Sequence, residues 1–187
     1  DDASTDSSLE IARSYGDPRI RIVTNPVNKR IVARLNQGLE LARGEYIARM
    51  DHDDISVPDR LEKQVQFLDS HKSVGICGTW VKIFSKYNLI SMDIKKPLTT
   101  EEIKCQLIFS NALLHPTVMM RKSLLDKYNL NYRNTYPSAE DYDLWCRAVK
   151  HFPMTNLPFF GLYYRHHSRS MGKTFADILL LRLLAVF

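Results

Sequence analysis

Cysteine is scarce in this chain. Three thiols, Cys77, Cys105 and Cys146, are spread over 187 residues. Their number is odd and their spacing is not that of metal ligands, so neither a disulfide framework nor a zinc cluster is expected. They read as reduced, mostly buried thiols, which suits a cytoplasmic enzyme better than a secreted domain. Long apolar runs are missing too. The longest, Ile178–Leu181 with Leu183–Phe187, is broken by Arg182 and falls far short of the ~20 residues a bilayer-crossing helix needs. No signal-peptide pattern, internal repeat or low-complexity segment is visible. Basic charge is not blocked: the net charge is +5 with Lys and Arg scattered, so no nucleic-acid partner is expected. A nucleotide diphosphate or an anionic membrane surface accounts for that charge equally well.

What is present suits one globular domain with a proper core, at 44% hydrophobic and 25% charged residues. The chain opens on turn-type residues, Asp1-Asp2-Ala3-Ser4-Thr5-Asp6, as though a strand had just ended, and closes on an apolar helix with no cap signal. We therefore expect an internal fragment of a longer protein.

Periodicity predicts a short helix over Ser8–Tyr15 and a strand over Ile20–Val23, bounded by Pro18 and Pro26. Asn28–Ala42 puts Ile31, Leu35, Leu39 and Ala42 on one helical face, with Gly44 as a stop. A strand follows over Tyr46–Met50. Pro58–Ser70 reads as a helix, with Asp54 or Ser56 available to cap it. Further on, a strand is predicted over 74–84, a helix over 99–109 opened by Thr99 with Glu102, and a short strand over 117–120. A helix over 122–128, a helix over 139–150 and a strand over 159–165 complete the pattern. Strands alternating with helices in the first half imply an α/β fold with a mainly parallel central sheet flanked by helices.

The most telling stretch is Arg49-Met50-Asp51-His52-Asp53-Asp54, where three carboxylates lie within four residues at the end of an apolar strand. Clustered acid there calls for a cation. A divalent metal whose shell a diphosphate completes is the simplest one. If the strand continues, Asp51 and Asp53 share a face and can converge on one ion. A solvated acidic turn, with Asp54 capping the next helix, is the plainer alternative.

Five separated segments, in order, resemble family 2 glycosyltransferases of the GT-A (Rossmann-like) fold. They are the opening Asp1-Asp2-Ala3-Ser4-Thr5-Asp6 and the run from Asn36-Gln37-Gly38 through Gly44-Glu45-Tyr46 to Asp54. His115-Pro116-Thr117-Val118, Ala139-Glu140-Asp141-Tyr142-Asp143-Leu144-Trp145 and Tyr164-Arg165-His166-His167 follow. The resemblance covers residues 1–170, with 171–187 left as a C-terminal helix beginning an extension. Two departures stand out. The family's first strand, which holds part of the nucleotide base, is missing at the N-terminus, and Arg30 stands where glycine is common.

The resemblance implies transfer of a sugar from a nucleotide-diphosphate sugar, expected to be a UDP-sugar, to an acceptor hydroxyl with inversion, in cell-envelope polysaccharide or glycan biosynthesis. Asp141 is then the general base, with Glu140 beside it raising the pKa of the pair by like-charge repulsion. Asp53 is the first choice for metal ligand, a Mn2+ or Mg2+ being expected. Asp51 serves the metal or the ribose, and His167 reaches the metal from the far end of the domain, with His166 as its alternate. Asp2, with Asp1 as alternate, and Asn36 serve the nucleotide. Arg165, Arg169 and Lys173 form a cationic cluster suited to diphosphate. Arg49 touches phosphate or pairs with Asp51. Trp145 walls the acceptor site or packs in the core, the core being the default. The acceptor is expected to be a glycan or a lipid-linked glycan, with peripheral membrane association. Two other classes remain: a nucleotidyltransferase, and an inactive nucleotide- or carbohydrate-binding remnant. The Gln-x-x-Arg-Trp segment of processive synthases is not present, which favours transfer of single sugars.

Overall fold

The computed structural model describes residues 1–84, 90–136 and 138–166. The chain divides into two compact units, Asp1–Leu41 and Ala42–Phe187. The expected helix over 171–187 lies outside the described residues.

The first unit holds α1 (Ser8–Ser14) and α2 (Arg30–Leu41). Asp2 reaches across to start α2: its carboxylate accepts from Lys29 N and from Arg30 N, at 2.9 Å for the latter, and pairs with Arg34 Nε at 3.3 Å. Arg30 has φ +65°, the left-handed conformation that glycine adopts most cheaply, which explains why glycine suits this position. The strand expected over Ile20–Val23 does not form. A strand exists only through a partner ladder, and here the pairing amounts to one parallel bridge, Asp2 with Asn25.

The second unit is built on one sheet. Its strands are β1 (Tyr46–Ala48), β2 (Ile55–Ser56), β3 (Ile76–Phe84), β4 (Ile90–Ile94), β5 (Met119–Arg121) and β6 (Met154–Arg165). The order is β1-β5-β3-β6-β2, with β4 against β3. The α/β expectation holds, but the described sheet is mixed where parallel pairing was expected to predominate. Only β3 and β6 run parallel among the named strands; the pairs β1–β5, β2–β6, β3–β4 and β3–β5 are antiparallel. The helices are α3 (Arg60–Ser70), α4 (Thr100–Leu107), α5 (Lys122–Lys127) and α6 (Glu140–Ala148). Thr99 and Glu102 form the expected reciprocal cap on α4.

The parallel β3–β6 pair is the spine of the unit. Ile76, Val81, Met154 and Leu162 are at most 1% exposed, as are Leu68, Ile103, Leu144 and Trp145 from the helices. Gly78 is required where β3 meets Asn156: an added Cβ would lie 2.3 Å from Asn156 Oδ1. That amide is in use, donating to Pro97 O at 2.7 Å and Ala112 O at 3.1 Å.

Candidate active site

The acid turn lies between β1 and β2, beside the end of β6. β1 stops at Ala48, so Asp51–Asp54 form a turn and the shared strand face expected for Asp51 and Asp53 does not exist. Arg49 N still reaches Val118 O at 2.9 Å, and strand pairing ends there. The choice left open for Arg49 falls to Asp51: Nη2 and Nη1 meet Oδ1 and Oδ2 at 2.5 Å and 2.6 Å, a fork-to-carboxylate pair with the Arg49 side chain 10% exposed.

Asp54 does not cap α3. The residue before that helix is Asp59, and it makes no side-chain cap bond. The β2 pairing with Tyr163 and Leu162 separates Asp54 from the helix start, and Asp54 Oδ1 instead accepts from Arg165 N at 2.9 Å. Burial pushes the Asp54 carboxyl up to about 6; the Arg165 N–H opposes this, and Asp51 and Asp53 add to it. Asp54 Oδ2 is buried with no hydrogen-bond partner among the described residues. Arg165 also donates from Nε to Asp53 O at 2.7 Å, with its guanidinium 4.5 Å over the Phe84 ring. His166 donates its backbone N–H to Phe84 O at 2.8 Å. His167, Arg169 and Lys173 lie outside the described residues.

Two buried side chains that the sequence reading passed over hold this region together. Arg60, 2% exposed, donates to Pro116 O at 2.7 Å and Arg49 O at 3.4 Å. It thus joins the acid turn's strand to the His115-Pro116 segment. Gln64, one helical turn on, donates to Cys77 O at 3.0 Å and Thr117 O at 2.8 Å. Both look like solvent-facing residues of an amphipathic helix, and only the packing of α3 reveals them.

The second acid cluster opens α6. Glu140 is 6% exposed and its Oε2 has no partner among the described residues. Asp141 is half-buried; Oδ1 accepts from Tyr142 N and Oδ2 from Asn111 Nδ2, each at 2.7 Å. Both carboxyls are raised, and burial is the largest cause in each. Like-charge repulsion, expected to raise the pair, is a lesser cause at Glu140, where Asp141 and Asp51 add to the rise while a backbone N–H and Arg49 oppose it. At Asp141 the Tyr142 N–H, Asn111 and Arg49 oppose the effect of burial. Trp145 is fully buried, as the core default required. Its indole meets the His115 ring edge-on at 5.9 Å. His115 Nε2 lies 2.8 Å from Tyr132 Oη, and burial holds the imidazole well below its ordinary pKa, hence neutral.

These clusters are far apart in sequence, yet the charge of Asp51 acts on Glu140. The charge of Arg49 acts on Glu140, Asp141, Tyr132 and His115, and also on Tyr164 beside the acid turn. Among the described residues no three His, Cys, Asp or Glu side chains are grouped as a metal site. The turn nevertheless suits a hard cation. Its donors are carboxylate oxygens, and the buried Asp54 Oδ2 shows negative charge that hydrogen bonds do not satisfy. Arg49 occupies both oxygens of Asp51.

Comparison with known proteins agrees with this architecture. The family model described as "Glycosyl transferase family 2" matches residues 1–129. A relative described as putative glycosyltransferase EpsE of Bacillus subtilis is 39% identical over 152 residues, covering 79% of this chain and 53% of that protein. Residues 1–349 of Staphylococcus aureus TarS in complex with UDP-GlcNAc superpose with a TM-score of 0.75 at 21% identity, over 100% of this chain and 55% of that chain. The mannosyltransferase PcManGT of Pyrobaculum calidifontis, in complex with GDP-Man and Mn2+, gives 0.67 at 16% identity, over 99% of this chain and 58% of its own. The chain thus spans about half the length of the EpsE relative and of these two solved chains, and the two structures share its GT-A fold. With more than half of its residues matched by the family model, the chain belongs to glycosyl transferase family 2.

Proposed function

We propose that this chain carries the catalytic part of an inverting glycosyltransferase that moves a sugar from a nucleotide-diphosphate donor, a UDP-sugar, to an acceptor hydroxyl in polysaccharide or glycan biosynthesis. The observation that carries the reading is the charge coupling between two acid clusters with different surroundings. One is a turn in which Asp51 is paired with Arg49, the other a helix start where burial raises Glu140 and Asp141, and the charge of Arg49 acts on both of these carboxyls.

Asp141 takes the proton from the acceptor hydroxyl as that oxygen attacks the anomeric carbon and the bond to the diphosphate breaks on the opposite side. A single displacement inverts the centre. The raised pKa of Asp141 brings the base nearer to neutral pH, where a proton acceptor works best. The departing diphosphate faces the acid turn. A divalent cation held there by Asp53 would supply the positive charge that this leaving group needs. Arg49 keeps Asp51 neutralised, so the diphosphate meets less bare carboxylate. Arg165 holds the turn through Asp53 O and Asp54. Asp1, Asp2 and Asn36 are proposed nucleotide contacts on the strength of the opening-segment resemblance, and His167 a proposed metal ligand on that of Tyr-Arg-x-His.

The acceptor is proposed to be a glycan or lipid-linked glycan, and the setting the cytoplasm, at or near the membrane surface. All three cysteines are free thiols, and among the described residues no helix is long and apolar enough to cross a membrane. A panel of nucleotide sugars offered to the full-length protein with Mn2+ and a glycan acceptor tests the reading. Transfer from a UDP-sugar with an inverted product is expected. Retention of anomeric configuration, or no binding of any member of the panel, overturns it.

A further inference from the structure

The Asp141 carboxylate is held by a side chain that belongs to none of the segments named above. Asn111 Nδ2 donates to Asp141 Oδ2 at 2.7 Å. The other end of the same amide is fixed: Asn111 Oδ1 accepts from Leu113 N at 3.3 Å, which makes the end facing Asp141 the donor. The backbone of Asn111 is anchored as well, its carbonyl accepting from Lys96 Nζ at 2.6 Å and Gln106 Nε2 at 3.1 Å. The following residues, Ala112 and Leu113, are at most 1% exposed, so the segment cannot shift without opening the core.

We propose that Asn111 is the positioning residue of the base, and that Lys96, tied to the carbonyl of the same residue, holds Asn111 in place. This rests on the reading of Asp141 as general base. With Tyr142 N on one oxygen and Asn111 on the other, the carboxylate plane is set by two neutral donors. Each oxygen keeps a second acceptor position for an incoming hydroxyl proton. A base pointed this way loses no time or entropy in finding its geometry. Lys96 is half-buried, and the charge of Asp141 favours its protonated form. The other groups acting on Asp141 or sharing its surroundings are Arg49, Glu140 and the Tyr132 hydroxyl. The Asn111 bond favours the charged carboxylate, so removing it raises the pH at which Asp141 ionises.

The test uses the full-length protein with Asn111→Ala, Lys96→Gln and Lys96→Arg, and three readouts. These are the Asp141 titration by carboxyl carbon NMR, assigned with Asp141→Asn; UDP binding with Mn2+ by calorimetry; and the pH profile of kcat with the nucleotide sugar found active. Asn111→Ala is expected to raise the Asp141 midpoint by about one pH unit and to move the acid limb of kcat upward equally, with UDP affinity unchanged. Lys96→Gln is expected to move both in the same direction by less, and Lys96→Arg to restore them. An unmoved midpoint in folded Asn111→Ala overturns the inference. If Asn111→Ala does not fold, an unmoved midpoint in Lys96→Gln overturns it. A midpoint that moves while Asp141→Asn keeps full turnover overturns the proposed function, and the positioning role with it.

Discussion

Asp51 and Asp141 are both carboxylates beside other carboxylates, and their surroundings differ in kind. Asp51 closes a two-pronged ion pair with Arg49. Among the described residues Asp141 has no cation within hydrogen-bond distance, and it accepts from a backbone N–H and a neutral amide. The first arrangement spends negative charge on a fixed positive partner and holds a turn in place. The second keeps a carboxylate partly desolvated and raises its proton affinity. Acid in a turn thus suits the handling of phosphate charge, and acid at a buried helix start suits the handling of a proton.

Asp141→Asn tests the proton side most sharply. Turnover is expected to fall by about a hundredfold or more, with donor affinity nearly intact, because the amide keeps the shape and loses the proton acceptor. Steady-state kinetics at saturating donor and acceptor, with calorimetry for the donor, check both halves. Wild-type turnover would point to Glu140 or Asp143 instead.

Asp53→Ala strikes the turn. The metal-dependent part of nucleotide-sugar affinity is expected to disappear, a loss at least as large as the ~10–100-fold that removing a mere supporting residue costs a metal site. Calorimetry with and without Mn2+ reads it, and an affinity that responds to Mn2+ as before would remove Asp53 from the site.

Arg60→Met probes what joins the two regions from beneath. Pro116 O and Arg49 O lose their donor, at a cost of about 1–2 kcal/mol in stability. The penalty stays moderate because the substitution also removes a buried charge. A shift of the urea midpoint at constant slope is the expected signature.

His115→Gln should give the smallest effect at neutral pH. The imidazole is held neutral in the fold, well below its ordinary value of 6.5. Its contribution to stability is therefore complete above about pH 6.5 and lost as pH falls, by about 1.4 kcal/mol per pH unit. Glutamine should flatten that acid-side decline, and urea titrations of both proteins between pH 5 and about 7.5 compare the slopes.

Much of this was legible along the chain. Amphipathic periodicity marked α2, α3, α4 and α6 to within about two residues. Thr99 and Glu102 announced their cap because capping is a local contact between near neighbours. The order of the acid, His-Pro and Glu-Asp segments pointed to the family that the comparison then showed. Strand behaviour was less legible, since a strand depends on a partner elsewhere. Ile20–Val23 has the right alternation and only one bridge near it. β4 and the first half of β6 gave no clear signal and exist through their pairing with β3.

The residue types and their spacing determined by themselves the α/β class, the helices, the family and the two acid clusters, because all of these follow from local patterns and from order along the chain. Only the tertiary structure decided what each acid does. Arg49 chose Asp51, Asp54 turned to Arg165 instead of a helix, and Asn111 took hold of Asp141. Those choices rest on distances of a few ångströms between residues remote in sequence, and on burial that raises a carboxyl's proton affinity only once the chain has folded around it.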